Sequence, residues 1–534
     1  MDVLWYTLDD FIPLLYCFPD GLVIDSETEC WIGARWNLFT FTKETLSESD
    51  VTRFAHHARR VRVLNSLTPQ KAFDKRPSMD VQLSRMLGGR PRDWNPWRPD
   101  HVGSYVDDSC FQILHKFFGH SPALPALRVL CCNHPNLYDM SHLTLFFSPT
   151  LRRLVFSENC AHFRFEYVFA NLEKSPCRNT LTALQLDDNP TAASANIKLD
   201  AYDVVFLASL PRLEWLQLFL DTSIDCNTMC QELPVAPFPS LRCLKLTYHN
   251  IKQEDSDPSD GDLALKDFTT LLRHLQPLCP LQHLPITVAG NGDISHASIR
   301  AFFAALAAFR PSLVSLGMVI MAPSRAGEPP FGIHDLAPLL ELPVKELSLE
   351  AIYMDISRAD LHVFTAAWPR LNWLHLGQDN ADTATLFPLS TLPDIVRTMP
   401  YLTQLGLRVH DDGEPLDIDA PVDPALQRIS MVDLGSSSLQ NRERAALFIA
   451  RSFPNATSLL YDPHDSRVKA FWWQATDHVR RHIREGMQSD AILASLAGLV
   501  VPPPRSRRYV EIVLDDEVED EVDGIATGVG QVAV

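Results

Sequence analysis

An α/β solenoid is the fold this sequence predicts: a leucine-rich-repeat array, a curved horseshoe with parallel strands on the concave face and helices on the convex face. Three observations predict it. The pattern Leu-x-x-Leu-x-Leu recurs, as in LPRLEWLQL, FPSLRCLKL and WPRLNWLHL. It recurs at a mean spacing of about 30 residues, which accommodates one strand and one helix. A proline precedes almost every copy by one or two residues. Proline there stops the preceding helix and opens an extended segment.

The first apolar position of each copy falls at residues 127, 151, 181, 213, 241, 281, 313, 344, 371, 402, 426 and 456. The three phased apolar residues of a copy form the core, each buried leucine contributing roughly 1.5–3 kcal/mol. Two copies, LRRLVFSEN and LTALQLDDN, end on an asparagine, Asn159 and Asn189. Such an asparagine ties down the turn after a strand.

Between these strands the period becomes helical. Ser295 to Phe309 puts Ile299, Phe302, Phe303, Leu306 and Phe309 on one face. Ser357 and Asp360 form a capping box ahead of Leu361, Phe364 and Trp368. Residues 265–278 and 441–453 read the same way.

The opening MDVLWYTLDDFIPLLYCFPDG carries Leu4, Leu8, Phe11, Ile12 and Leu15 at helical spacing, so residues 1–20 are expected to form an amphipathic helix. Its expected dock is the first strand, Val61 to Leu64. Residues 21–126 are expected to form an N-terminal cap with irregular first repeats and a loop at about 67–104. The array then runs over 127–490. From 502 to 534 an acidic, disordered tail is expected; Val510 to Asp523 holds eight acids and no base.

Composition narrows the function. With 46% hydrophobic residues, 534 residues are enough for a large core. The net charge of −19 argues against nucleic acid as the main partner, which needs a basic footprint. No apolar run is long enough to span a bilayer, so no membrane role is expected. The eleven cysteines, without a secretory leader, suggest reduced thiols and a cytoplasmic or nuclear location.

No phosphate loop, nucleophile elbow or His-Glu-x-x-His motif occurs, so no catalytic residue and no cofactor is expected. An enzyme with an unrecognised site is the third-ranked reading. The segment QEDSDPSDGD resembles a calcium loop, but Lys266 and Phe268 stand where the closing Glu is needed. Cys226, Cys230, Cys243 and His249 have zinc-like spacing. Cys243 lies inside a repeat strand, which pulls it from the other two cysteines, so no metal is expected.

Strand side chains alternate, so the positions between the leucines face the concave surface. These are Trp215, Gln217, Phe219, Lys245, Glu346, Ser348, Glu350, Trp373, His375, Gln404 and Arg408. Aromatics beside charges have the composition of a protein-binding patch. The other reading is that Trp215 and Phe219 pack on a crossing loop or on each other.

Asp2-Val3-Leu4-Trp5 and Leu8-Asp9-Asp10-Phe11-Ile12-Pro13-Leu14-Leu15 resemble the end of the F-box region in a family of fungal F-box and leucine-rich-repeat proteins. ARRVRVL (58–64) resembles the first strand of that family's repeats. The resemblance implies substrate recognition for a cullin–RING ubiquitin ligase, with a protein substrate on the repeats and the ligase adaptor on the F-box. The family's F-box has a Leu-Pro-x-Glu-like opening and two further helices before this motif. Adaptor binding is therefore expected only with a complete F-box upstream. The alternative is a stand-alone interaction scaffold.

Overall fold

The computed structural model describes residues 5–497 except 30–34, 66, 68–102, 133–139, 157–164, 187–198, 220–225, 251–259, 276–278, 291–293, 322–328, 378–386, most of 411–422, 461–474 and a few single positions between 351 and 486. The expected loop at 67–104, Asn159, Asn189 and the tail at 502–534 lie wholly or mostly outside the described residues.

The molecule is an α/β protein built on one long parallel sheet. Its strands in chain order begin with β1 (Thr7–Leu8), then β2 (Val23–Glu29), β3 (Arg35–Phe41), β4 (Val63–Leu64) and β5 (Gly103–Val106). The repeats follow as β6 (Val129–Cys132), β7 (Arg153–Phe156), β8 (Ala183–Leu186), β9 (Trp215–Phe219), β10 (Cys243–Asn250), β11 (His283–Gly290), β12 (Ser315–Met321), β13 (Glu346–Glu350) and β14 (Trp373–Leu376). Last come β15 (Phe387–Pro388), β16 (Gln404–Leu407), β17 (Val409–His410), β18 (Met431–Asp433) and β19 (Ser458–Leu460). Fourteen strands form the main sheet, and within it chain order is spatial order from β1 to β19. β2, β3 and β5 make a separate three-stranded sheet near the N-terminus, and β15 pairs with β17.

All twelve strands expected from the leucine pattern are present. The register is strict: Leu216 pairs with Leu244, Leu316 with Leu347, Leu347 with Leu374 and Leu374 with Leu405. One frame is corrected. Leu405 pairs with Val432, so the first apolar position of that copy is Ile429, not Leu426. Leu426 instead ends a short 3-10 turn, Pro424–Leu426, where it is buried. Both leucine and isoleucine fit the pattern, and only pairing across the sheet separates them.

A side-chain device repeats with the strands. In three copies the residue before the first apolar position donates a side-chain hydrogen bond to the carbonyl of the first apolar residue one copy earlier. Thr150 Oγ1 donates to Leu127 O at 2.9 Å, and Thr180 Oγ1 to Leu151 O at 2.8 Å. Arg428 Nε does the same to Leu402 O at 3.1 Å, in keeping with Ile429 as the start of its copy.

The helices between strands sit where expected. Ser295 caps His296–Leu306, and the Ser357–Asp360 capping box opens Arg358–Ala367. Asp260–Leu275 and Arg442–Ser452 fill the other two predicted positions. A continuous apolar core joins these helices to the leucine face of the sheet, from Leu8 to Leu496.

The opening is corrected. Residues 1–20 are not one helix. Thr7–Leu8 is the edge strand of the main sheet, parallel to Val63–Leu64, and among the described residues of this opening only Ile12–Leu15 is α-helical. Asp10 Oδ1 accepts from Ile12 N at 3.0 Å and Pro13 occupies the first turn, so the helix starts there and not earlier. Leu8 still docks at Leu64, as expected, but through backbone pairing. Phe11, Leu14 and Leu15 are fully buried, and the Phe11 ring meets Phe54, Phe111 and Phe146.

Candidate functional site

The sheet has two faces. One carries the leucines and the helices; the other carries the intervening side chains. Position by position these form rows across the strands. The first row runs Trp215, Cys243, His283, Ser315, Glu346, Trp373 and Gln404 from β9 to β16. Every member is half-buried. The row therefore forms a continuous polar and aromatic surface. Adjacent members lie about 4.8 Å apart along the sheet.

The second row is deeper. Gln217 is 1% exposed and His375 4%. Lys245, which pairs with Gln217, and Ser348, which pairs with His375, are half-buried. Arg408, just past β16, is 6% exposed. Gln217, His375 and Arg408 were expected on an open surface and are instead buried. Side chains standing on strands 4.8 Å apart shield one another, and the large first-row indoles add to this.

Two groups emerge. Trp215 and Gln217 on β9, with Lys245 on β10, make one. Glu346, Ser348 and Glu350 on β13, with Trp373, His375 and Gln404, make the other. β11 and β12 separate them, about 14 Å along the sheet. In the second group Ser348 Oγ donates to Glu350 Oε1 at 2.5 Å. The Trp373 and His375 rings meet edge to face at 5.3 Å. Trp373 Nε1 is buried without a hydrogen-bond partner among the described residues. Phe219 pairs with Thr247 through the backbone, and its side chain lies outside the described residues.

Cys243 belongs to this row. The Trp215 side chain hydrogen-bonds its sulfur, while burial pushes the thiol up to about 11. Cys226 and Cys230 are buried on the helix Cys226–Glu232, and burial also takes Cys230 to about 11. The His249 side chain lies outside the described residues. Among the described residues, no group of three or more His, Cys, Asp or Glu is placed to hold a metal ion. No described helix is long and apolar enough to cross a membrane.

His283, Ser315 and Cys243 belong to the first row but are missing from the expected surface. Taking the third position of every copy, without selecting for aromatic or charged residues, finds them all.

No family model matches this chain, and no curated protein matches it. Among solved structures, it resembles a crystal structure of a protein from Bacteroides fragilis. That likeness covers 60% of this chain and 76% of that one, at 11% identity and a TM-score of 0.29. It is too distant to bear on fold family or function.

Proposed function

We propose that the chain is a leucine-rich-repeat solenoid that binds another protein on the strand face between β9 and β16. The observation carrying this reading is the unbroken half-buried row from Trp215 to Gln404. It spends aromatic and charged side chains on a face the core does not use. Tryptophans at the centre of a large surface are frequent anchors of protein interfaces. The role that best fits the F-box resemblance is substrate recognition for a cullin–RING ubiquitin ligase.

The test is affinity capture with the full chain and with a Trp215→Ala/Trp373→Ala variant. Partners retained by the wild type and lost with the variant, at unchanged thermal stability, would support the reading. Identical capture by both would sink it. For the ligase link, the adaptor subunit should bind a version extended upstream through a complete F-box, and should not bind the 534-residue chain alone.

A scaffold without a ligase link is the second reading. It is favoured by the burial of Leu8, Phe11, Ile12, Leu14 and Leu15 within the protein's own core. Those side chains then have little apolar surface left for an adaptor. Tight adaptor binding by the 534-residue chain would exclude this reading.

A further inference from the structure

A second surface lies one residue before the strands. Here too a row crosses the sheet, joined by backbone hydrogen bonds. Arg62 N donates to Tyr6 O at 2.9 Å, Arg128 N to Arg62 O at 2.7 Å, Arg152 N to Arg128 O at 2.8 Å, and Thr182 N to Arg152 O at 2.8 Å. Three arginines thus stand immediately before the consecutive strands β4, β6 and β7, about 4.8 Å apart. Arg128 and Arg152 are exposed and Arg62 is half-buried. Arg153, next in sequence to Arg152, is also exposed and donates to Gln185 Oε1 at 2.8 Å.

Like charges on directly neighbouring strands repel and cost stability. On the helices, by contrast, Arg300 pairs with Asp335, Arg358 with Asp394, and Arg397 with Asp394 and Asp423. Arg62, Arg128 and Arg152 pair with no acid among the described residues. Arg62 instead folds back on the carbonyls of Arg59 and Val61. The basic run stops at Thr182, and Glu214 follows in the same row.

We propose that the Arg62–Arg128–Arg152 ladder is a docking surface for an acidic peptide segment of a partner protein. The argument is charge complementarity. Guanidinium forks on neighbouring strands match a run of carboxylates, and each can take one bidentately. The ladder is three strands wide, which suits a short acidic run. A longer polyanion would extend into the field of a chain whose net charge is −19. This site is distinct from the row at β9 to β16, and it does not depend on the function proposed for that row.

The experiment uses the full chain and a fluorescein-labelled octa-glutamate peptide, read by anisotropy at low and moderate salt. Arg128→Glu/Arg152→Glu should weaken binding at least about tenfold. Arg128→Gln/Arg152→Gln should weaken it in the same direction and by less. Arg242→Glu is the control: it is exposed in the same row but stands between Glu214 and Gln282. It should leave binding unchanged, and thermal melting should show that all variants fold. Equal loss with Arg242→Glu, or no wild-type binding even at low salt, would overturn the proposal. So would tighter binding of a labelled oligo-thymidine of equal length with the same arginine dependence, which would assign the surface to nucleic acid.

Discussion

At the scale of single residues, the strand face separates two kinds of position. Leu216 and Leu374 are fully buried, each between leucines of the neighbouring strands. Leu216→Asp or Leu374→Asp puts a charge there with no partner, a substitution far costlier than loss of packing alone. Even Leu374→Ala should cost about 2–5 kcal/mol. Thermal melting checks this; an unchanged midpoint for both Asp variants would overturn the strand frame. Buried thiols give a second residue-scale test. Burial pushes Cys110 and Cys279 up to about 12. At pH 8 both should resist an aromatic disulfide reagent until the protein unfolds, because the thiolate is the reacting species. Rapid labelling of either in the native protein, located by mass spectrometry, would contradict their burial.

At the scale of elements, the helix Arg358–Ala367 is fastened at its start and tied to the next helix. Ser357 Oγ accepts from Asp360 N at 3.3 Å, and Asp360 Oδ2 accepts from Ser357 N at 2.8 Å. Ser357→Ala removes one half of this box and should cost about 1 kcal/mol. From the same helix, Arg358 reaches Asp394 at 2.8 Å on the next helix, Leu392–Thr398, where Arg397 reaches Asp394 at 2.7 Å and Asp423 at 2.6 Å. The hydrogen bond from Arg397, with that from the Ala425 N–H, holds Asp423 below the usual carboxylate range. A depressed carboxylate contributes stability above its unfolded pKa and loses it as pH falls through the folded value. Asp423→Asn should therefore lower the melting midpoint slightly at pH 7, and the difference from wild type should shrink as pH falls below about 4. A difference that grows in acid would show that Asp423 is not the group responsible.

At the scale of the molecule, the sheet is long and its strands meet only their neighbours. Leu154 on β7 and Leu374 on β14 are seven strands apart, roughly 34 Å. Leu347 and Leu374 are cross-strand neighbours. Alanine substitutions at Leu154 and Leu374 should add within about 0.3–0.5 kcal/mol, whereas those at Leu347 and Leu374 should couple by about 0.5–3 kcal/mol. Denaturant melts of the single and double variants measure both. Strong coupling of the distant pair would mean that the sheet responds as one rigid body.

The sequence by itself determined the strand positions of the main array and the helices quoted between them. Leucine spacing is enough there, because an inward side chain every second residue leaves few ways to bury a strand's apolar face. It also named both indoles of the strand face, Trp215 and Trp373. Only the tertiary structure decided three other matters. It moved one copy from Leu426 to Ile429, because either residue satisfies the pattern and the pairing of Leu405 with Val432 chooses between them. It turned the expected opening helix into an edge strand and a single turn, because β4 offered an unpaired edge that outweighed the helical spacing of Leu4 to Leu15. It buried Gln217, His375 and Arg408 and aligned Arg62, Arg128 and Arg152. Depth on a sheet face, and which residues of distant repeats become neighbours, depend on side chains from adjacent strands. Those strands lie about 30 residues away in the chain, beyond the reach of any local pattern.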